Sequence, residues 1–374
     1  MSGRQRMTTT APTKAGIWTS DFLGPDYQCL RLELGVDEEG PVVATLVRHF
    51  RAPPAAADPV PHWWQRLPSN VPAPPHPGGS HGPADWPSSN TPAPAVLYLH
   101  GWADYFFQAE MAEFFTSRGF AFYALDLHKY GRSLFPGQSE GFTTDLEVYD
   151  ADIEAALAAI RADLGQRRPQ RIHLMAHSLG GLIGALWADR HPGRLASLML
   201  NGPWLELQGS RFVRQIATHL VDPFAKSDPK RIFRFPEMSA YWQSVSSTAH
   251  GDWTLDPRWR PEASFPLRAG WIRAVLNGHA QVGRGLTIDA PVLMLLSRRT
   301  IIQSDWSPEM MEVDAVIDVD EMARLGLKIG RRVMVNRYPG ALHDVMLSAP
   351  PVRQLIYADL SDWMRAYGSV PPNP

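Results

Sequence analysis

At 374 residues, 44% of them hydrophobic, the chain is long enough to fill the core of one large α/β domain or two modest ones. Its formal net charge of −2 gives no reason to expect nucleic acid, whose phosphates need a concentrated basic face, so a small, mostly uncharged partner is expected. A single cysteine, Cys29, excludes both an intrachain disulfide and a cysteine-based metal cluster.

Residues 1–14 are polar and threonine-rich, without the apolar run of a secretory signal. No later stretch approaches the ~20 apolar residues of a membrane span, and a cytoplasmic protein is the expectation. Residues 27–34 and 42–50 read as two strands joined by the polar turn Asp37-Glu38-Glu39-Gly40, with Cys29 a buried strand residue. Residues 1–51 are thus expected to form an antiparallel hairpin at the edge of the core sheet. Composition changes sharply over residues 52–95, where 13 of 44 residues are proline. Such a segment lacks backbone donors and apolar area, and reads as an extended insert or linker with Trp63, Trp64 and Trp86 as apolar anchors.

From Val96 strands and helices alternate: strand 96–99, helix 109–118, strand 121–125, helix 145–164, strands 171–176 and 196–200. In the 145–164 helix Ile153, Leu157, Ile160 and Leu164 form one stripe, with Thr144 or Asp145 as a cap. This alternation predicts a mostly parallel sheet covered by helices on both faces. It breaks over residues 201–289, where Trp204, Phe224, Phe233, Tyr241, Trp242, Trp253, Trp259 and Trp271 stand among prolines and arginines, the texture of an inserted helical cap. The core, begun over 96–200, resumes over 290–368 with strands 292–296 and 332–336 and a closing helix 352–366; residues 369–374 are a tail.

Chemistry concentrates at Leu174-Met175-Ala176-His177-Ser178-Leu179-Gly180-Gly181, an apolar strand that ends on a serine and turns into an amphipathic helix. A strand-turn-helix of this kind lifts a serine hydroxyl out of the sheet, as in the G-x-S-x-G nucleophile elbow, with Ala176 here in place of the first glycine. A serine hydroxyl needs a base, and the base a carboxylate to hold its tautomer. In strand-helix folds of this type the chain order is Ser, acid, His. Among the histidines after Ser178, His343 alone stands in a glycine-containing loop directly after the last strand, whereas His191 closes a helix and His219, His250 and His279 fall in the cap. Three aspartates qualify as the acid: Asp314 and Asp318, just ahead of a helix beginning near Asp320, and Asp305, the first met after strand 292–296. Two N–H donors for an oxyanion are expected from Leu179, next to the nucleophile, and from Trp102, in the loop after strand 96–99 where Gly101 allows close approach.

These residues together resemble the α/β-hydrolase superfamily, within it the monoacylglycerol lipase and lysophospholipase-like group that is also classed with serine aminopeptidase-type hydrolases. The resemblance rests on Leu99-His100-Gly101-Trp102-Ala103-Asp104, on Asp126-Leu127-His128-Lys129-Tyr130-Gly131-Arg132-Ser133, on 176–180 and on Gly340-Ala341-Leu342-His343. Asp314-Ala315-Val316-Ile317-Asp318 is similar to the family's acid segment D-x-x-x-D, whose first aspartate completes the triad; the resemblance therefore implies Asp314.

The expectation is a serine hydrolase acting through an acyl-enzyme on Ser178, with Asp314 and His343, on esters carrying an apolar acyl or aryl group: a monoacylglycerol, a lysophospholipid or a small ester. No cofactor or metal is expected. Acyl transfer, amide or C–C bond hydrolysis, and ligand binding without turnover are the alternatives on the same scaffold. Arg211, Arg214, Lys226, Lys230, Arg231 and Arg234, lying among Trp204, Phe212 and Phe224, suit weak peripheral membrane contact through the cap as well as an ordinary solvated face.

Overall fold

The computed structural model describes residues 16–50, 94–165, 172–207, 221–234 and 239–368. Most of the proline-rich segment with its three tryptophans, together with Arg171, Arg211, Phe212, Arg214 and His219, lies outside the described residues.

The first three strands, β1 (Thr19–Asp21), β2 (Gly24–Asp37) and β3 (Gly40–His49), pair antiparallel as the hairpin pattern predicts, with the short β1 added outside it. β4 (Ala95–Leu99), β5 (Ala121–Asp126), β6 (Ile172–His177) and β7 (Ser197–Asn201) follow. Within the insertion, β8 (Ile232–Phe233) and β9 (Leu267–Arg268) form a separate ribbon, and β10 (Val292–Ser297) and β11 (Val333–Tyr338) return to the main sheet. The described strands of that sheet run β1-β2-β3-β5-β4-β6-β7-β10-β11, parallel from β5 onward. β4, β6, β7 and β10 are buried at every position, which is why they read as continuous apolar runs rather than as alternations. The fold is that of an α/β hydrolase.

The α-helices described from end to end are α1 (Ala109–Thr116), α2 (Tyr149–Asp163), α3 (Ser178–Arg190), α4 (Ala240–Val245), α5 (Ala269–Arg284), α6 (Val319–Gly326) and α7 (Pro350–Tyr367), and residues 221–227 of the insertion are helical as well. α2 starts at Tyr149 rather than at residue 145 as expected, because Asp145 caps a separate 3-10 turn (Leu146–Val148) instead. α3 is not amphipathic: it is buried on all sides from Ser178 to Ala188. Its sheet side is closed by β6 and its outer side by α5, where a Cβ on Gly278 would lie 3.1 Å from Leu186 and 3.3 Å from Leu182. The insertion therefore completes the burial of the helix that carries Ser178. Cys29 is half-buried rather than buried: it packs against the core while its thiol meets the Thr19 hydroxyl and the Ser20 carbonyl of β1 at the sheet edge.

The polar turn between β2 and β3 clamps the insertion to the core. Glu39 takes Lys129 Nζ at 2.7 Å and Lys230 Nζ at 2.6 Å, and it also accepts from the hydroxyl and the N–H of Ser139. Burial works against the Glu39 charge, but these donors override it and hold the carboxyl well below the usual carboxylate range. No helix among the described residues is long and apolar enough to cross a membrane.

Candidate active site

Ser178 stands at the junction of β6 and α3 with φ +51°, a left-handed backbone that costs a non-glycine residue roughly 1–3 kcal/mol. The strain is held by close packing on every side. A Cβ on Gly180 would lie 2.2 Å from the His100 carbonyl oxygen, and one on Gly181 2.8 Å from Pro203, so α3 leaves the turn only because both positions lack side chains. Ala176 is accommodated for a related reason: the position across from its methyl is Gly184, whose own Cβ would sit 3.3 Å away.

The structure brings Ser178, His343 and Asp314 together. Ser178 Oγ lies 2.9 Å from His343 Nε2, and His343 Nδ1 lies 2.8 Å from Asp314 Oδ2. A carboxylate accepts only, so Nδ1 carries the imidazole proton and Nε2 is left as an acceptor for the Ser178 hydroxyl. The loop bearing His343 is tied down by Ser297, whose hydroxyl donates to the Ala341 carbonyl at 2.7 Å. Gly202, just past β7, has φ +51°, and a Cβ there would lie 2.3 Å from the His343 carbonyl oxygen.

The long path from Ser297 to Asp314 closes on itself. After β10 the chain departs and then returns, so that the Asp314 N–H donates to the Arg299 carbonyl at 3.1 Å and the Ile301 N–H donates to the Asp314 carbonyl at 3.0 Å. Asp314 thereby sits beside the residues that directly follow the strand. Its Oδ1 accepts the N–H groups of Val316 and Ile317, each at 2.8 Å, which leaves Oδ2 for the imidazole. Thr300 fastens the far side, donating to the Ile317 carbonyl and accepting the Val319 N–H. The other two aspartates lie elsewhere: Asp318 caps α6 through the N–H groups of Asp320 and Glu321, and Asp305 is exposed.

Gly101 packs directly on the serine, a Cβ there falling 3.1 Å from Ser178 Cβ; Trp102 is the next residue. His100 braces this turn, with Nδ1 2.8 Å from the Gly101 carbonyl and Nε2 accepting the Leu127 N–H at 3.1 Å. Leu179 lies in the first turn of α3, where N–H groups have no acceptor within the helix and the helix dipole presents its positive end. The indole of Trp102 lies against that of Trp271, ring centres 3.8 Å apart and planes tilted by 37°, with Phe265 edge-on and Trp204 beyond Trp271. Of the other histidines considered for the base, three are described: His191 pairs with Asp150, His250 stacks on Trp306, and His279 reaches the Trp204 carbonyl. Of the basic residues noted for the insertion, Lys230 is paired with Glu38 and Glu39, and Arg231 lies over Phe224.

Sequence reasoning missed the polar groups packed around this centre. Asp344, fully buried, accepts from Asn201 Nδ2 at 2.6 Å, from the Met346 N–H at 3.0 Å and from Gln108 Nε2 at 3.1 Å. Its own N–H donates to the Tyr241 hydroxyl at 3.1 Å. His177 is buried against the Asn201 carbonyl, and burial holds its imidazole below the ordinary histidine value. Asp104 and Arg260 form a buried ion pair at 2.7 Å. Only Asp104 had a local signal, its place in the His100-to-Asp104 turn; the others are joined across the chain.

A family model described as Hydrolase_4, serine aminopeptidase S33, matches residues 90–302. The chain is 23% identical over 290 residues to a monoacylglycerol lipase of Mycolicibacterium smegmatis, covering 75% of this chain and 90% of that protein. Among solved structures it is similar to a soluble variant of the monoglyceride lipase of Saccharomyces cerevisiae in complex with a substrate analog, with a TM-score of 0.57, 14% identity and 98% of each chain covered. A monoacylglycerol lipase of Paleococcus ferrophilus gives a TM-score of 0.52 at 18% identity, over 74% of this chain and 96% of that one. The fold, the order of its elements and the span of the match place the chain in the Hydrolase_4 (serine aminopeptidase, S33) family of α/β hydrolases.

Proposed function

We propose that the chain is a serine ester hydrolase. Carrying this proposal is the continuous relay from Ser178 Oγ through His343 Nε2, at 2.9 Å, and His343 Nδ1 to Asp314, at 2.8 Å. The Ser178 oxygen attacks the acyl carbon while its proton passes to His343 Nε2. The N–H groups of Trp102 and Leu179 receive the resulting oxyanion. Collapse of the tetrahedral adduct breaks the ester C–O bond, and the departing alkoxide takes the proton from His343. Water then attacks the acyl-enzyme with His343 again as base, returning the proton to Ser178 as the carboxylic acid leaves. Asp314 stays ionised throughout and orients the imidazole.

The aromatic cluster of Trp102, Trp204, Phe265 and Trp271 that begins at the turn beside Ser178 favours an apolar acyl or aryl group. The relatives that are monoacylglycerol lipases make monoacylglycerols the first substrates to try, followed by lysophospholipids and p-nitrophenyl esters. Incubation with a fluorophosphonate and intact-mass analysis should show one adduct, on Ser178 and absent from Ser178→Ala. Well-folded protein that takes up no adduct would overturn the proposal, and an adduct without ester turnover would redirect it to acyl transfer or amide cleavage.

A further inference from the structure

Among the described residues of the insertion, Arg260 reaches the turn beside Ser178 with a charged side chain. Arg260 Nη1 donates to Asp104 Oδ1 at 2.7 Å, and both side chains are almost wholly buried. Asp104 closes the turn that begins at Gly101: its Oδ2 accepts the Gly101 N–H at 3.4 Å, and Ala103 between them takes the left-handed φ of +47°. The same turn carries Trp102, whose N–H the proposal above assigns to the oxyanion, and it rests on Ser178 through Gly101. Arg260 is itself held firmly. Its N–H donates to the Asp256 carbonyl, its carbonyl accepts the Trp242 indole N–H, and its guanidinium lies 5.5 Å from the Phe107 ring and 5.7 Å from that of Tyr241.

We infer that Arg260 is a positioning residue for the oxyanion site: through Asp104 it fixes the 101–105 turn against Ser178, so that turnover requires the insertion to be seated. This rests on the ester hydrolase proposal above. Two physical effects act together. The ion pair fixes the turn whose amide receives the oxyanion, and the guanidinium cancels a carboxylate that would otherwise oppose negative charge developing nearby. The charged and titratable groups that face Asp104 are Arg260, His177 and His100, and those that face Arg260 from other elements are Tyr241 and Asp344. Burial works to raise the Asp104 carboxyl, and Arg260 overrides it. Without Arg260 that balance reverses, and Asp104 becomes a buried acid that takes up a proton.

The test compares Arg260→Met, Arg260→Lys and Asp104→Asn/Arg260→Met with the wild type. Each is followed by kcat and KM on p-nitrophenyl butyrate, by the rate of fluorophosphonate labelling and by melting temperature. Arg260→Met should lose on the order of 10²-fold in kcat, the scale of one lost oxyanion donor, with KM changed less than about threefold. Its kcat should fall further as pH rises and the stranded Asp104 ionises; the double variant should lack this step and regain about tenfold. Arg260→Lys should retain most of the activity. Wild-type kcat in folded Arg260→Met, or a loss wholly explained by KM, overturns the inference. If Arg260→Met does not fold, the double variant decides: kcat at least tenfold below Arg260→Lys supports the inference, and equal kcat overturns it. An unlabelled wild-type Ser178 overturns the hydrolase proposal itself, and the inference with it.

Discussion

Asp314→Asn separates the role proposed for this carboxylate from its part in folding the loop. Oδ1 accepts two backbone N–H groups at 2.8 Å while Oδ2 faces His343 Nδ1 at 2.8 Å. Asparagine keeps its carbonyl oxygen on the two loop donors, which forces its NH2 toward the imidazole. Two donors then oppose each other unless the imidazole proton moves to Nε2, the atom that must accept the proton of Ser178. A wrong tautomer of this kind lowers kcat about 10⁴-fold in the Ser-His-Asp template, which corresponds to about 5.4 kcal/mol at 1.36 kcal/mol per tenfold. Because the loop bonds survive, stability should change by no more than about 1–2 kcal/mol. The assay is p-nitrophenyl ester hydrolysis at saturating substrate, paired with calorimetry. A variant that melts normally and keeps kcat within tenfold of wild type would refute the reasoning, and Asp305→Asn, at an exposed site, should be indistinguishable from wild type.

Gly180→Ala forces a methyl to 2.2 Å from the His100 carbonyl; a stability loss of about 1–3 kcal/mol should appear in a denaturant melt together with a large fall in turnover. Ala176→Gly, which restores the usual elbow glycine, should gain no activity and cost about 0.5–1 kcal/mol, since Gly184 already makes the room. Asp344→Ala leaves Asn201, Gln108 and the Met346 N–H without their acceptor; a loss above about 3 kcal/mol is expected in urea unfolding, and one under 1 kcal/mol would contradict the network. The folded state keeps His177 neutral by burial, whereas the unfolded chain binds a proton near pH 6.5. Stability should therefore decline as pH falls below about 6.5, until the folded-state pKa is passed, and His177→Gln should flatten this part of the melting-temperature profile between pH 8 and 5.

Local pattern made most of the scaffold legible. Strands buried on both faces announce themselves as short apolar runs, and the elbow is readable because strand, serine and glycine are contiguous. What stayed hidden depends on contacts between distant segments. β1 is three residues long, too short for periodicity to register. The encasement of α3 comes from α5, far along the chain, so its outer face looked free to be solvated. Asp314 could be favoured by family resemblance, but its return to β10 is a matter of backbone pairing with Arg299 and Ile301, for which side-chain pattern carries no signal. Asp104 and Arg260 are 156 residues apart; Asp104 has its place in the turn after β4, but nothing near Arg260 marks it out from the other arginines of the insertion.

The closure of the 298–313 excursion onto the end of β10 has a consequence for how this molecule tolerates change. Because the acid is fastened on both sides of the detour, by Arg299, Thr300 and Ile301 before it and by Val316 and Ile317 after it, the chain between need not have any particular length. Doubling such a flexible loop costs only about 0.6 kcal/mol in closure entropy. Residues 302–305 are exposed throughout, while Met310 is packed beneath α4. The exposed tip is thus a natural splice point, where a tag or a small binding module can be grafted close to the site without moving the carboxylate on which His343 depends.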